Sequence, residues 1–373
     1  MGTTFLAIAA VVLFYTVIFY VAKANELSAE VKGKVDDYST ASNINGILFL
    51  IVTILGAIGI VFTSWKLIPR MLPESNSLHG LQIDSMFNIT TIIATIVVVV
   101  THAALATFVF KYRYKKDRKA YFFPHSNTLE VVWTVIPAVV LTFLVFKGIQ
   151  AWNDIFRFSE IEQVEDPLIF EATAKQFGWI LRYPGVDGEL GDRKITTENV
   201  SSLNELGVDF SDPASHDDIY SDKIMLVKGK PTLAKLGALD VLHGFYLPHF
   251  RVKMDCVPGL PTQFMFTPRF TTEEYRERLS KKKYWQQLDE DGEPRWKSFN
   301  FELACTELCG RSHYAMQRVV EVVTQEEYDK WVSEQTPYYD LVIKPQMTDV
   351  KKTDEKSLSS NKVDALEGEN LLN

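Results

Sequence analysis

Two thiols, an imidazole and a thioether fall within one short run, Cys305-Thr-Glu307-Leu-Cys309-Gly-Arg-Ser-His313-Tyr-Ala-Met316. Thiolate, imidazole and thioether together are the soft donor set that selects copper among biological metals. The chain has 3 cysteines, and two of them sit in this run. A second histidine stands well upstream, in Asp240-Val-Leu-His243, ahead of an apolar, strand-like stretch. One distant histidine with a cysteine–histidine–methionine loop is how an electron-transfer copper site is assembled on a β-sandwich.

The spacing C-x3-C-x3-H-x2-M matches neither a helix face nor a strand face and suits a loop folded around an ion. Two thiolates four positions apart can bridge a pair of metals, with a histidine and a weak ligand capping each end. An electron shared between two metals and two sulfurs changes geometry little, which keeps transfer fast. Three other readings compete. Cys305 and Cys309 could form a disulfide in an oxidising compartment, bind zinc with His243 and His313, or be small buried residues. A disulfide leaves the histidine and methionine unexplained, and zinc has no use for a thioether.

The elements that must carry this loop are strongly segregated. Four stretches, Phe5 to Val21, Ile47 to Trp65, Phe87 to Phe110 and Val131 to Trp152, are apolar and long. A hydrocarbon core of ~30 Å needs ~20 helical residues, so all four are expected to span a membrane. Ala22-Lys23-Ala24 resembles a signal-peptide cleavage site, but the first stretch has no basic leader and its apolar run is long for one. Lys111, Arg113, Lys115, Lys116, Arg118 and Lys119 follow the third span with Asp117 as the one acid among them. Such a cluster stays in the cytoplasm, so the fourth span delivers the remainder to the outer face. Pro137 is expected to kink that span.

Past Trp152 the texture changes to short alternating runs. Leu168 to Ala174, Trp179 to Tyr183, Lys223 to Val227, Leu239 to Leu247, Gln263 to Thr267, Phe299 to Ala304 and Arg318 to Val323 read as strands of a sandwich or barrel. Thr271-Thr-Glu-Glu274 and Thr324-Gln-Glu-Glu327 are capping-box patterns, predicting a charged, solvated helical insertion after Thr271 and a short helix to Gln335. The polar chain beyond Thr336 is expected to be disordered. A net charge of −8 argues against nucleic acid as a partner, whose binders are basic.

The copper loop and the apolar hairpin before it resemble subunit II of the haem–copper cytochrome c oxidases over about residues 87 to 335. The resemblance implies a membrane-anchored chain with N-terminal transmembrane α-helices followed by an all-β cupredoxin-like sandwich. The expected division is an extra two-span region (1–78), a transmembrane hairpin (79–153), a periplasmic CuA domain (154–336, with a charged insertion at 271–297) and a polar tail (337–373). It implies that Cys305 and Cys309 bridge two coppers, that His243 and His313 hold one each, and that Met316 and the Glu307 carbonyl are weak ligands. The Glu307 carboxylate would reach a magnesium ion shared with subunit I, with Asp240 and Asp255 near that polar interface. Glu130 aligns with the acid at a proton-channel entrance, and an acid at the end of a span is a functional candidate on physical grounds as well.

Haems are expected in the partner subunit alone. The implied partners are subunits I and III, lipid, and cytochrome c or a cytochrome c domain of a neighbouring complex, in a bacterial inner membrane. The family's electron-accepting tryptophan falls at Phe177 in Gln176-Phe-Gly-Trp179, and Trp179 follows on what would be the same strand face. Either ring could lie under the donor. Rival readings are a quinol oxidase subunit, which lacks the copper ligands, a nitric or nitrous oxide reductase, and a copper carrier. Cys256 and His249 are expected to be packing residues, and His102 to make a helix–helix hydrogen bond. The run Asp209, Asp212, Asp217, Asp218 and Asp222 could be a solvated loop or a patch that steers a basic partner.

Overall fold

The computed structural model describes residues 2–33, 39–68, 71–156, 164–197 and 199–346. Its contacts divide the chain into two units, residues 1–72 with 87–146, and residues 73–86 with 147–373.

The first unit is helical. α1 (Gly2–Val31), α2 (Ser39–Leu67), α3 (Leu78–Lys111) and α4 (Asn127–Ile155) are each long and apolar enough to cross a membrane. Their apolar side chains point outward all round, as lipid-facing helices require. The basic cluster has a second job, closing the end of α3. Arg113 Nη1 donates to the Phe110 carbonyl at 2.5 Å, and Arg118 donates to the Lys111 and Arg113 carbonyls at 2.8 and 2.6 Å. These cations satisfy carbonyls that a helix end leaves unpaired. Arg113 Nε also donates to Asn43 Oδ1 at 2.6 Å, and the Tyr114 amide donates to Ser42 Oγ at 2.8 Å. The start of α2 therefore lies beside the end of α3, on one side of the membrane, as the charge pattern requires.

The second unit is a sandwich of two five-stranded sheets. One has the order β3 (Ile219–Ser221), β2 (Gly178–Tyr183), β1 (Leu168–Lys175), β5 (Thr232–Ala238), β8 (Thr262–Phe266). The other runs β4 (Ile224–Val227), β10 (Gln317–Val323), β9 (Phe301–Cys305), β6 (His243–Leu247), β7 (Val252–Cys256). β1 pairs parallel with β5 and β10 parallel with β4, and the other ladders are antiparallel. Phe170, Tyr183, Phe245, Leu247 and Phe301 fill the space between the sheets at 0% exposure. Each contributes about 1.5–3 kcal/mol by leaving water.

Three strands escaped the sequence reading. β5 (Thr-Leu-Ala-Lys-Leu-Gly-Ala) is poor in β-formers, and it forms because β1 and β8 pair with both its edges. β7 alternates buried Val252 and Cys256 with outward Lys253 and Asp255 in too short a run to stand out. β3 has three residues. The expected strand Leu239 to Leu247 is half loop, because β5 ends at Ala238 and residues 239–242 cross from one sheet to the other.

α5 (Thr272–Ser280) has the expected capping box but is not simply solvated, since Tyr275 and Leu279 are buried in the core. α6 (Gln325–Glu334) also begins with its capping box. Residues 338–346 are helical where disorder was expected, because two rings hold them. Tyr338 stacks on Tyr220 at 4.1 Å and Tyr339 on His216 at 4.0 Å. The rest of the expected tail, 347–373, lies outside the described residues.

The segment 73–86, assigned from sequence to the membrane regions, is built into the sandwich unit. Ser77 Oγ donates to the Phe250 carbonyl at 2.5 Å, the Asn76 amide to the His249 carbonyl at 2.6 Å, and Arg251 Nε to Asp84 at 2.6 Å.

Candidate metal centre

The donors of the late loop converge with His243 at one end of the sandwich. β6 lies between β9 and β7, with Phe245 opposite Cys305 and His243 opposite Cys256. The period of two turns His243 and Phe245 to the same inner face. β9 ends at Cys305, the chain loops through Cys309 and a single turn at His313–Ala315, and it returns as β10 just after Met316.

His243, Cys305 and Cys309 offer ligand atoms that all lie within 4.8 Å of one another. Cys305 Sγ stands 3.8 Å from His243 Nδ1, and Cys309 Sγ stands 3.6 Å from His313 Nδ1. Met316 Sδ is 3.3 Å from Cys309 Sγ, and the Glu307 carbonyl is 3.3 Å from Cys305 Sγ. Each sulfur thus has one imidazole and one weak donor beside it. The two cysteines are free thiols in this structure. His243 and Met316 are fully buried.

The groups behind the donors fit a metal as well. His243 Nε2 donates to Asp240 Oδ1 at 2.8 Å, which leaves the Nδ1 lone pair facing the sulfurs. A ligand histidine tied through its other nitrogen to a carboxylate is the usual outer-sphere arrangement. Burial works to raise the Asp240 carboxyl, but hydrogen bonds from His243 and from the Gln176 and Val241 amides outweigh it and hold the group below its ordinary value. Asp240 thus braces the His243 ring. Burial, with the adjacent Cys305 sulfur, pushes the Cys309 thiol up to about 11. A metal would have to displace that proton.

The β1–β2 turn ties both halves together. The Gln176 amide donates to Asp240 Oδ2 at 2.6 Å, while its side chain donates to the Cys309 carbonyl. Trp179 Nε1 donates to the Met316 carbonyl at 3.3 Å. Two glycines are required here. A Cβ on Gly244 would sit 2.2 Å from Thr306 Oγ1, and one on Gly310, at φ +136, would sit 2.9 Å from the Phe177 ring. Phe177 and Trp179 do not share a strand face, because Phe177 occupies the turn. It is 41% exposed against the loop, whereas Trp179 is buried against His243 and Phe245.

Other residues divide as follows. Lys253 Nζ lies 3.2 Å from the Glu307 carboxylate, with Asp255 two positions along the same outward face of β7. Cys256 is buried opposite His243, and burial raises its thiol to about 12. His249 packs among Tyr275, Phe299 and Phe301. His102 bonds the Val98 carbonyl of its own helix at 2.8 Å instead of a neighbouring helix. Glu130 belongs to the helical unit, in the first turn of α4, and its carboxylate is 2.9 Å from His125 Nδ1. Sequence reasoning passed over His125, whose signal was its place five residues before that acid.

A relative from Bradyrhizobium diazoefficiens, "Alternative cytochrome c oxidase subunit 2", is 30% identical over 261 residues, covering 69% of this chain and 82% of that protein. The chain belongs to the cytochrome c oxidase subunit 2 family. The family model for "Cytochrome C oxidase subunit II, transmembrane domain" matches residues 62–150 of this subunit 2 chain. "Cytochrome c oxidase subunit 2" of Cereibacter sphaeroides is 27% identical over 280 residues, 71% of this chain and 78% of that one. A solved periplasmic domain of cytochrome oxidase subunit II from Bradyrhizobium japonicum is 26% identical, with 44% of this chain and 91% of that chain covered and a TM-score of 0.28. This subunit 2 is a multi-pass membrane protein, and α3 and α4 are the helices that fall within the family's transmembrane match.

Proposed function

We propose that this subunit accepts electrons one at a time from a cytochrome c, or a cytochrome c domain of a neighbouring complex, at a dinuclear CuA centre. The electrons pass to haem in subunit I, where O2 is reduced to water with proton translocation. One observation carries the reading. Two free thiols lie within 4.8 Å of each other and of His243, and each faces one imidazole nitrogen.

Cys305, Cys309, His243 and His313 would hold the copper pair, with Met316 and the Glu307 carbonyl as weaker donors. When bound, the copper pair supplies a one-electron couple shared over both metals. The protein's part is to hold these donors in place and dry. Asp240 fixes the His243 ring, Trp179 holds Met316, and the buried thioether excludes water from the inner side. Phe177, exposed against Gly310, would be the surface ring on which a donor bears, while Trp179 is buried against His243.

The Glu307 carboxylate would reach the magnesium ion shared with subunit I, since hard oxygen suits that ion. Glu130, beside His125, would stand at the proton-channel entrance. Haems belong to the partner subunit. The sandwich faces the periplasm of a bacterial inner membrane, and the helices meet lipid and subunits I and III. Nucleic acid has no place in this reading.

The test is an electron paramagnetic resonance spectrum of the oxidised complex, expected to show one unpaired spin shared by two coppers. Cys309→Ser should abolish that signal, because a hydroxyl is a poor bridge for soft copper. A wild-type spectrum without the shared spin would reject the assignment. Glu130→Gln should slow proton-coupled turnover with copper content intact, and normal turnover would return Glu130 to a structural role.

A further inference from the structure

Residues 112–126, which join α3 to α4, place a dense set of cations beside rings that stand in the open. By its charge this loop is cytoplasmic. From Lys111 to Glu130 there are six Lys and Arg side chains against Asp117 and Glu130. Arg113 and Arg118 close the end of α3 through bonds to carbonyls, which leave their charge in place. Glu130 stands with His125, whereas Lys115, Lys116 and Lys119 are exposed with no ion pair among the described residues. Residues 23–38, which precede α2 on the same side, carry three lysines and four acids. They remove one unit from an excess of four, so the surplus stays positive.

Tyr121, Phe122 and Phe123 are 86%, 84% and 58% exposed. Tyr121 stacks on Phe123 with ring centres 6.1 Å apart. Alternation along an extended chain sends Phe122 to the opposite side, so the segment is apolar on both sides. Such rings are costly in water and suit the headgroup layer of a bilayer, where aromatic side chains collect. The lysines just before them can reach phosphates while their stems lie along the apolar layer.

We infer that this loop is a seat for anionic phospholipid, in which Lys115, Lys116 and Lys119 take the phosphates and the rings of residues 121–123 sink to headgroup level. The spans meet lipid tails whatever the headgroup, but the loop selects among headgroups. A zwitterionic headgroup carries its own ammonium, which the lysines repel. Phosphatidylglycerol presents its phosphate without one. Each free cation at an anionic surface strengthens the attraction about fivefold, and less where salt screens it. Nothing in this surface depends on the copper centre.

The experiment titrates the delipidated oxidase complex in detergent with phosphatidylglycerol and, separately, with phosphatidylcholine, and counts bound lipid by native mass spectrometry. At least one phosphatidylglycerol should bind about tenfold tighter than phosphatidylcholine. Lys115→Gln, Lys116→Gln and Lys119→Gln together should abolish that preference, and Phe122→Ser should weaken phosphatidylglycerol binding about threefold. Lys66→Gln, in the last turn of α2, should leave it unchanged. If the triple variant does not assemble, the single lysine variants read the same preference, each lowering it about two- to fivefold. A complex that binds the two lipids alike, or keeps its preference in the lysine variants, overturns the inference. A lysine variant that sheds another subunit with its lipid binding intact also overturns it, since the loop would then face protein. The two-copper spectrum should be the same in every variant, so failure here is distinct from failure of the copper reading.

Discussion

Among single residues, Asp240 is the one whose role the sequence concealed most. Three positions before His243, it read as lying near a polar interface, and only the folded backbone shows it turned onto His243 Nε2 at 2.8 Å. Outer-sphere carboxylates of this kind typically change metal affinity by about 10–100-fold. Asp240→Ala is expected to weaken copper retention by that order in competition with a chelator. Retention equal to the wild type would remove Asp240 from the site. The donors themselves were legible for a simple reason. Five of the six sit within residues 305–316, so their chemistry could be read without knowing how the chain folds. The sixth, His243, was named from the sequence too, but its place beside the loop rests on the strand pairing that sets β6 beside β9.

Individual elements were legible where local chemistry decides them. Both capping boxes formed as written, because each needs contacts only three residues apart. β5 was not legible, since its sequence favours no strand and its pairing partners lie far away in the chain. α5 shows an intermediate case, a charged helix whose inner face carries Tyr275 and Leu279 into the core. Leu279→Ala should cost about 2–5 kcal/mol through lost burial and the cavity left behind. Glu277→Ala on the outer face should stay within about 0.5 kcal/mol. Thermal unfolding of the two variants side by side checks this, and equal midpoints would mean that the helix is not part of the core.

For the molecule as a whole, two buried groups set opposing acid responses. Burial, aided by the Arg251 and Lys282 cations, lowers the His249 imidazole from 6.5 to about 4. The folded chain keeps it neutral while the unfolded chain takes up a proton, so its contribution is present above pH 6.5 and is lost as pH falls toward 4. Burial raises the Asp218 carboxyl to about 6, against the pull of Arg182. Its contribution is full below the unfolded value near 3.8 and is lost as pH rises through 6. His249→Phe should therefore flatten the acid side of a profile of thermal midpoint against pH, and Asp218→Asn the neutral side. An unchanged acid slope in His249→Phe would contradict the first assignment. The sequence singled out both residues, His249 as a packing residue and Asp218 within the acidic run, but not their shifts, because only packing from distant segments encloses them.

The strand positions of Cys305 and His243 bear on how the centre is filled. Hydrogen-bonded ladders hold these two donors on neighbouring strands whether or not an ion is present. Cys309 and Met316 are tied to the first sheet as well, through the Gln176 side chain on the Cys309 carbonyl and Trp179 Nε1 on the Met316 carbonyl. His313 is the donor whose backbone bonds stay within the loop, to Gly310 and from Met316. The ordering entropy of capture would thus fall mainly on that one side chain, so an ion seated on the pre-set sulfurs would draw it in last.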